Sequence, residues 1–307
     1  MIIDIHVHIF EEKMWCRKFL DEVYELKRKT LTSEEFKKYK IEAPTDMLIK
    51  DMDAAGVDVA VCLPIDFAFI ARQEAEISIW KANEYVAEAQ DRYPDRIIGF
   101  VGVDPQRPDA VELLEKGVKD WGLKGIKIYP GNFYPTDERV QHFFKKVDEL
   151  RLPVLFHSGV DPYPFLTKYG NPEYLDDLTL RYQNIKVIAA HFARGWHDLL
   201  AELMVYRPNR IWTDIAAMQY EYTASRWHFF TNLRYFMDRV PNAVLMGSDW
   251  PFPKNPPQSA QPSYKEWIEL FKNLSLPDVF LSMGMKQFSA EEKDKILGGN
   301  AQQLLGL

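Results

Sequence analysis

The chain has 307 residues, 47% of them hydrophobic and 27% charged, which is ample for a sizeable core and ordinary for a globular protein. The formal net charge of −7 argues against a nucleic-acid footprint, but leaves room for an anionic substrate beside a local cation. Two cysteines in no motif spacing, no signal peptide and no long apolar run lead us to expect a cytoplasmic enzyme without structural disulfides or a membrane segment.

Met1 to Phe10 alternates apolar and polar residues, the period of a half-buried strand. On a regular strand Asp4, His6 and His8 share one face. Two imidazoles there can grip a divalent ion, with the acidic group orienting them. An amphipathic edge strand with its histidines in water is the plainer alternative. Residues 11–43 are charged and too long for a turn. Thr32-Ser33-Glu34-Glu35 has the form of a capping box, so a helix is expected to begin there. The segment reads as a helical lid, with Trp15 and Arg17 as candidate substrate contacts; a solvated helical excursion is the alternative.

From Thr45 the pattern is regular. Helices are expected over Thr45–Gly56, Ile79–Tyr93, Ala110–Trp121, Glu138–Leu150, Leu175–Tyr182, His197–Tyr206 and Trp227–Val240, then Tyr264–Asn273 and Ala290–Leu305. Strands are expected over Val57–Pro64, Ile97–Asp104, Leu123–Pro130, Leu152–Gly159, Ile185–Ala193, Arg210–Ala217 and Ala243–Trp250. With the first strand, eight apolar strands alternate with helices. That favours a parallel (β/α)8 barrel over an open doubly wound sheet, and no Gly-rich phosphate fingerprint follows any strand. No composition break marks a second domain, so residues 1–307 read as one barrel. The Pro-rich stretch from Pro251 to Pro262 reads as a loop at the barrel mouth.

Catalytic groups in such a barrel sit at the C-terminal ends of strands. His6 and His8 end the first strand, Lys127 lies near the end of the fourth, His157 ends the fifth, His191 the sixth and Asp249 the eighth. His157, His191 and Asp249 follow apolar runs, where an unpaired polar group is costly. For any one of them, a satisfied core or capping residue is the alternative.

The set Asp4-x-His6-x-His8, His157, His191, Gly247-Ser248-Asp249-Trp250-Pro251 and Gly299-Asn300-Ala301 resembles the amidohydrolase superfamily of metal-dependent barrels. Within it, the chain is similar to the branch that includes aminocarboxymuconate-semialdehyde decarboxylase and γ-resorcylate decarboxylase. The resemblance implies that His6, His8, His157 and Asp249 bind one divalent ion, usually zinc and sometimes manganese. It implies that His191 and Asp249 are the catalytic acid/base groups, and that the enzyme is a homodimer or higher oligomer. In other branches a carboxylated lysine bridges two metals; in this branch Lys127 is expected to remain a free substrate-binding or structural group.

Two reactions follow for a small-molecule substrate. One is non-oxidative decarboxylation of a planar aromatic or unsaturated carboxylic acid, with Arg194 as a candidate carboxylate clamp or else a surface arginine. The other is hydrolysis of a cyclic ester or amide by a metal-activated water. A non-catalytic metal scaffold is the reading from another class. It has no use for an open coordination position or a proton shuttle beside the ligands.

Overall fold

The computed structural model describes residues 1–160, 165–251 and 261–307. The strands are β1 (Ile3–Val7), β2 (Val59–Cys62), β3 (Ile97–Gly99, resuming as Val101–Gly102 after a break at Phe100), β4 (Ile126–Ile128), β5 (Pro153–Phe156), β6 (Lys186–Ala189), β7 (Ile211–Asp214) and β8 (Val244–Leu245). All neighbours pair in parallel and in sequence order. The amide of Phe100 donates to Cys62 O (3.0 Å) across the break in β3. Closure comes from the segment after β8. Ile5 N donates to Met246 O and Asp249 N to His6 O, both at 2.9 Å, and Val7 bridges Trp250 in parallel. The eight strands thus form the expected (β/α)8 barrel.

Alternation explains the two cores. Ile3, Val61, Phe100, Leu155, Ile188, Trp212 and Leu245 pack together inside the ring. Ala60, Cys62, Val101, Ile126, Val154 and Val187 point outward onto the helices. Each aliphatic or aromatic side chain buried this way stabilises the fold by about 1.5–3 kcal/mol.

The helices are α1 (Arg17–Thr30), α2 (Ser33–Lys38), α3 (Thr45–Ala55), α4 (Ala68–Ala71), α5 (Ile79–Arg92), α6 (Ala110–Lys119), α7 (Gln141–Leu150), α8 (Glu173–Arg181), α9 (His197–Tyr206), α10 (Gln219–Ala224), α11 (Arg226–Arg239), α12 (Tyr264–Lys272), α13 (Asp278–Ser282), α14 (Ala290–Asp294) and α15 (Asn300–Leu305). Local signals set many ends. Gly56 caps α3 at φ 71°, a backbone that glycine adopts without strain. Thr32 and Glu35 form the reciprocal cap of α2, as Ser289 and Glu292 do for α14. A π turn over Lys295–Gly299 joins α14 to α15 and frees Ile296 O to accept from Met246 N (2.9 Å). Gly298 presses against the chain start; a Cβ there would lie 2.2 Å from Met1 O.

Three expectations change. The stretch 11–43 holds α1 as well as the α2 expected from the capping box, because the first helix carries no side-chain cap to announce it. The strands are shorter than their apolar runs, so His157, His191 and Asp249 stand in the turns just past β5, β6 and β8. Pro251 is described, but most of the Pro-rich stretch after it lies outside the described residues. Among the described residues, no helix is long and apolar enough to cross a membrane.

Asp104, two residues past β3, is 1% exposed and accepts from Gln106 N at 2.8 Å. Burial pushes its carboxyl up to about 7, with Asp66 adding to the shift and Gln106 opposing it. A raised acid stabilises the fold fully below its unfolded pKa, and that contribution is lost as pH climbs through the folded value. Asp104→Asn should therefore lessen the loss of stability between pH 4 and 8, by up to about 4 kcal/mol. Urea midpoints at the two pH values measure it, and an unchanged difference would refute the assignment.

Candidate metal centre

The first strand does not run regularly to its end. Asp4 pairs with Ala60 and Val7 with Cys62, so Ile5 and His6 together oppose one residue of β2. This bulge turns His6 to the interior beside Ile5, and His8 follows it. It also corrects the expected common face. Asp4 lies on the outer side with Ala60 and does not orient the imidazoles. It accepts from Ser248 N (3.0 Å) and Ser248 Oγ (2.5 Å), and Ser248 Oγ accepts from Trp250 N (3.1 Å). Asp4 thereby holds the turn that presents Asp249, whose φ of 63° is a strained value for a non-glycine residue. Burial pushes the Asp4 carboxyl up to about 7, against the bonds from Ser248 and His6 N.

The carboxylate that orients His6 is Asp214, the last residue of β7. His6 Nδ1–H donates to Asp214 Oδ2 at 2.8 Å, with both groups fully buried. The other Asp214 oxygen accepts from His191 N (2.8 Å) and Ala216 N (3.0 Å). Asp214 was absent from the sequence-derived candidates, although a carboxylate closing the apolar run Ile211-Trp212 satisfies the same strand-end rule as Asp249. His8 Nδ1–H donates to Leu63 O (2.7 Å), and His191 Nδ1–H to Ala216 O (2.9 Å). Each partner accepts only, so all three neutral rings carry their proton on Nδ1 and offer a lone pair at Nε2.

Those lone pairs converge. His8 Nε2 lies 3.2 Å and His6 Nε2 3.5 Å from Asp249 Oδ1. Two lone pairs aimed at a carboxylate oxygen repel unless a cation lies among them. The spacings match the edge of a tetrahedron of about 3.3 Å around an ion with zinc-like bond lengths. His6, His8 and Asp249 form a compact group able to hold a metal, and His6, His191 and Asp214 form an adjoining one. His157 stands outside both triads. Its Nδ1 is 3.3 Å from His191 Nε2, and its ring stacks on Tyr129 with centroids 4.1 Å apart. Burial, with Lys127 beside it, drives the His6 pKa well below its ordinary value, and burial lowers His191 to about 3. His191 is thus uncharged at neutral pH.

The remaining candidates divide. Lys127 is 2% exposed and its Nζ donates to His6 Nε2 at 3.1 Å, inside the centre. Trp15 packs on Phe10, Phe19 and Phe67 and lines a small cavity with His8. Arg194 donates to Val160 O (3.1 Å) and lies over the Tyr220 ring, just after the turn that carries His191. Arg17 pairs with Asp21 along its own helix, and both side chains are about two-thirds exposed. That places Arg17 on the exposed surface of α1. Sequence reasoning passed over an aromatic wall made by Phe19, Phe67, Tyr129 and Phe165, whose rings lie 5.0–5.9 Å apart. Nothing in their spacing along the chain joins them.

The amidohydrolase family model matches residues 3–307. The chain belongs to the amidohydrolase family. It is 22% identical over 297 residues to 2-amino-3-carboxymuconate-6-semialdehyde decarboxylase of Dictyostelium discoideum, covering 85% of this chain and 76% of that protein. Among solved structures it is similar to a dihydroxybenzoic acid decarboxylase of Polaromonas sp. JS666 with bound manganese and the inhibitor 2-nitroresorcinol (TM-score 0.70, 16% identity, 100% of this chain and 97% of that one). It is also similar to a probable 2-pyrone-4,6-dicarboxylic acid hydrolase of Acinetobacter baumannii with citric acid bound (TM-score 0.64, 19% identity, 100% and 99%). Likeness at this level of identity is likeness of fold.

Asp214→Asn tests the tautomer argument. The amide keeps an oxygen for His191 N and Ala216 N but turns an N–H towards His6 Nδ1, which moves the ring proton to Nε2. Affinity for a divalent ion should fall by roughly 10–100-fold with the fold intact. Chelator competition reads this directly, and wild-type affinity in the variant would refute it.

Proposed function

We propose that this amidohydrolase catalyses non-oxidative decarboxylation of a planar aromatic or unsaturated carboxylic acid, with one divalent ion held by His6, His8, Asp249 and His157. The observation that carries this reading is the aromatic wall built against the histidine cluster: Tyr129 lies parallel to His157, within 15°, and Phe67 and Phe165 stack beyond it. A flat ring entering beside Tyr129 would be sandwiched by π-faces with its acidic substituents towards the imidazoles. The decarboxylase likenesses in Dictyostelium and Polaromonas support the same choice.

We assign zinc on the strength of three imidazoles and one carboxylate; manganese, found in the Polaromonas structure, is the competitor. When bound, the ion would polarise acidic oxygens of the substrate and offset their charge. The chain's own groups do the rest. Lys127, freed from His6 Nε2, pairs with a substrate oxygen, and Arg194 clamps a second acidic group at the rim. His191 takes the acidic proton at Nε2 while its Nδ1–H stays on Ala216 O, so the ring keeps its orientation as it becomes charged. The proton passes to the carbon bearing the carboxyl group, the C–C bond breaks, and its electron pair returns to the unsaturated system as carbon dioxide leaves. Net, R–CO2H becomes R–H and CO2. The wall and the segment 11–43 exclude water, which would divert the reaction towards hydrolysis. That segment, which we read as a lid, is tied to the loop after β2 by Lys18 N donating to Gln73 Oε1 (2.8 Å) and Ile77 N to Lys13 O (2.8 Å). Cys16 and Cys62 are both buried free thiols, which suits a cytoplasmic setting.

Hydrolysis of a cyclic ester is the second reading, favoured by the likeness to the Acinetobacter hydrolase. A panel of aromatic and unsaturated acids and lactones separates the two. Decarboxylation releases CO2 and consumes acid, whereas lactone opening releases acid and no gas. Production of acid without CO2 across the panel would overturn the main reading.

Two variants test the parts. His191→Ala should lose turnover by roughly 10²–10⁴-fold while keeping its metal. If the metal leaves as well, His191 is a ligand and its assigned role fails. Trp15→Ala should raise KM several-fold, about 1 kcal/mol in substrate binding, with unchanged metal content. An unaltered KM would remove Trp15 from the substrate's path.

A further inference from the structure

A second group of ligating side chains stands away from the barrel mouth, where α9, α10 and α11 meet. His197 opens α9, Glu221 lies in α10 and His228 in the first turn of α11. One ligating atom from each falls within 4.8 Å of the others. His197 Nε2 is 3.5 Å from Glu221 Oε2, and His228 Nε2 is 4.0 Å from Glu221 Oε1.

Two features separate this group from a surface ion pair. First, the His197 side chain is only 10% exposed, and its Nε2, buried and turned towards Glu221, has no hydrogen-bond partner. A buried polar atom in that state points to a missing partner. Second, the Glu221 side chain is also 10% exposed, yet no lysine or arginine pairs with it among the described residues. A carboxylate so enclosed, faced by two imidazoles and the Asn232 amide, is costly to bury and gains from a cation.

We propose that His197, Glu221 and His228 form a zinc site distinct from the centre at the barrel mouth, clamping α9, α10 and α11 together. Two imidazoles and a carboxylate are a zinc donor set, and they leave a fourth position for water on the side of His228, which is 58% exposed. The spacings slightly exceed the edge of about 3.3 Å for a zinc tetrahedron, and a small turn of the exposed His228 ring closes them. Asn232, one helical turn past His228, supplies the orienting partner. Its Nδ2 lies 2.9 Å from His197 Nδ1 and 2.8 Å from Glu221 Oε1. A metal on His197 Nε2 leaves the ring proton on Nδ1. Loading therefore turns the Asn232 amide over, so that its oxygen accepts that proton while the ion draws the Glu221 carboxylate away. The clamp bears on the catalytic turn, because the Phe192 ring beside His191 lies edge-on to the His197 ring, centroids 6.3 Å apart.

The test is zinc binding to the whole protein by equilibrium dialysis, with Tm followed in parallel. Wild type should bind zinc in two classes, a tight one at the mouth and a weaker one here, and filling the weaker class should raise Tm. Glu221→Gln and His228→Ala should each lose the weaker class and its Tm increment while keeping the tight class. His8→Ala should show the reverse pattern, so failure of the mouth reading appears as loss of the tight class alone. His228 is largely exposed, so its alanine variant should fold and keep the test valid if Glu221→Gln does not. A wild type with no zinc beyond the mouth equivalent, or a weaker class that survives in His228→Ala, would overturn the proposal.

Discussion

The centre depends on where three protons sit. Asp214, Leu63 O and Ala216 O each take an Nδ1–H from a histidine ring, and each accepts without donating. That fixes the Nε2 atoms of His6, His8 and His191 as bases pointing inward. The cost of burying two imidazole lone pairs against the Asp249 carboxylate is what a divalent ion relieves. Without the Nδ1 partners, the same rings would rotate or change tautomer, and the same residues would not make a metal site. The backbone acceptors of this lock lie just past β2 and β7, so the strand ends that build the barrel rim also select the tautomers.

Strain is concentrated where that lock is assembled. His191, Phe192 and Ala193 follow one another at positive φ (61°, 51° and 44°), and Asp249 stands at 63°. Such residues cost of order 1–3 kcal/mol each and persist only where their surroundings over-determine them. Here the determinants are visible. Asp214 accepts the His191 amide, Asp4 holds Ser248, and Asp249 N donates to His6 O at 2.9 Å. The two buried acids therefore serve as positioning groups for the two groups assigned to proton transfer, one for each turn.

These arrangements explain which features could be read from the residues alone. The barrel was legible because eight apolar runs and their caps obey local periodicities. The histidines stood out because a polar residue closing an apolar strand is conspicuous. The bulge at Ile5 and His6 was not legible, since it arises from pairing with β2, and it overturned the simple argument that Asp4, His6 and His8 share a face. Asp214 closes an apolar strand just as His157 does; a carboxylate there attracts less notice than a histidine. Arg17, read as a candidate substrate contact, starts α1 and pairs with Asp21 on the exposed side of that helix. The aromatic wall was beyond local reasoning, since Phe19, Phe67, Tyr129 and Phe165 come from four separate segments.

The wall also bears on how one fold divides between two reactions. A hydrolase needs water beside the reacting carbon, whereas a decarboxylase gains from its exclusion. The groups that receive and return a proton serve either chemistry unchanged. What differs is the neighbourhood: stacked rings lower the local polarity, favour a flat unsaturated acid and disfavour the charged, hydrated carboxylate of the ground state relative to departing carbon dioxide. In this chain Tyr129 carries that effect to the imidazole of His157 itself, with ring planes within 15°. The choice of reaction then rests less on the imidazoles and carboxylate, which serve either chemistry, than on an aromatic wall that reaches them through Tyr129.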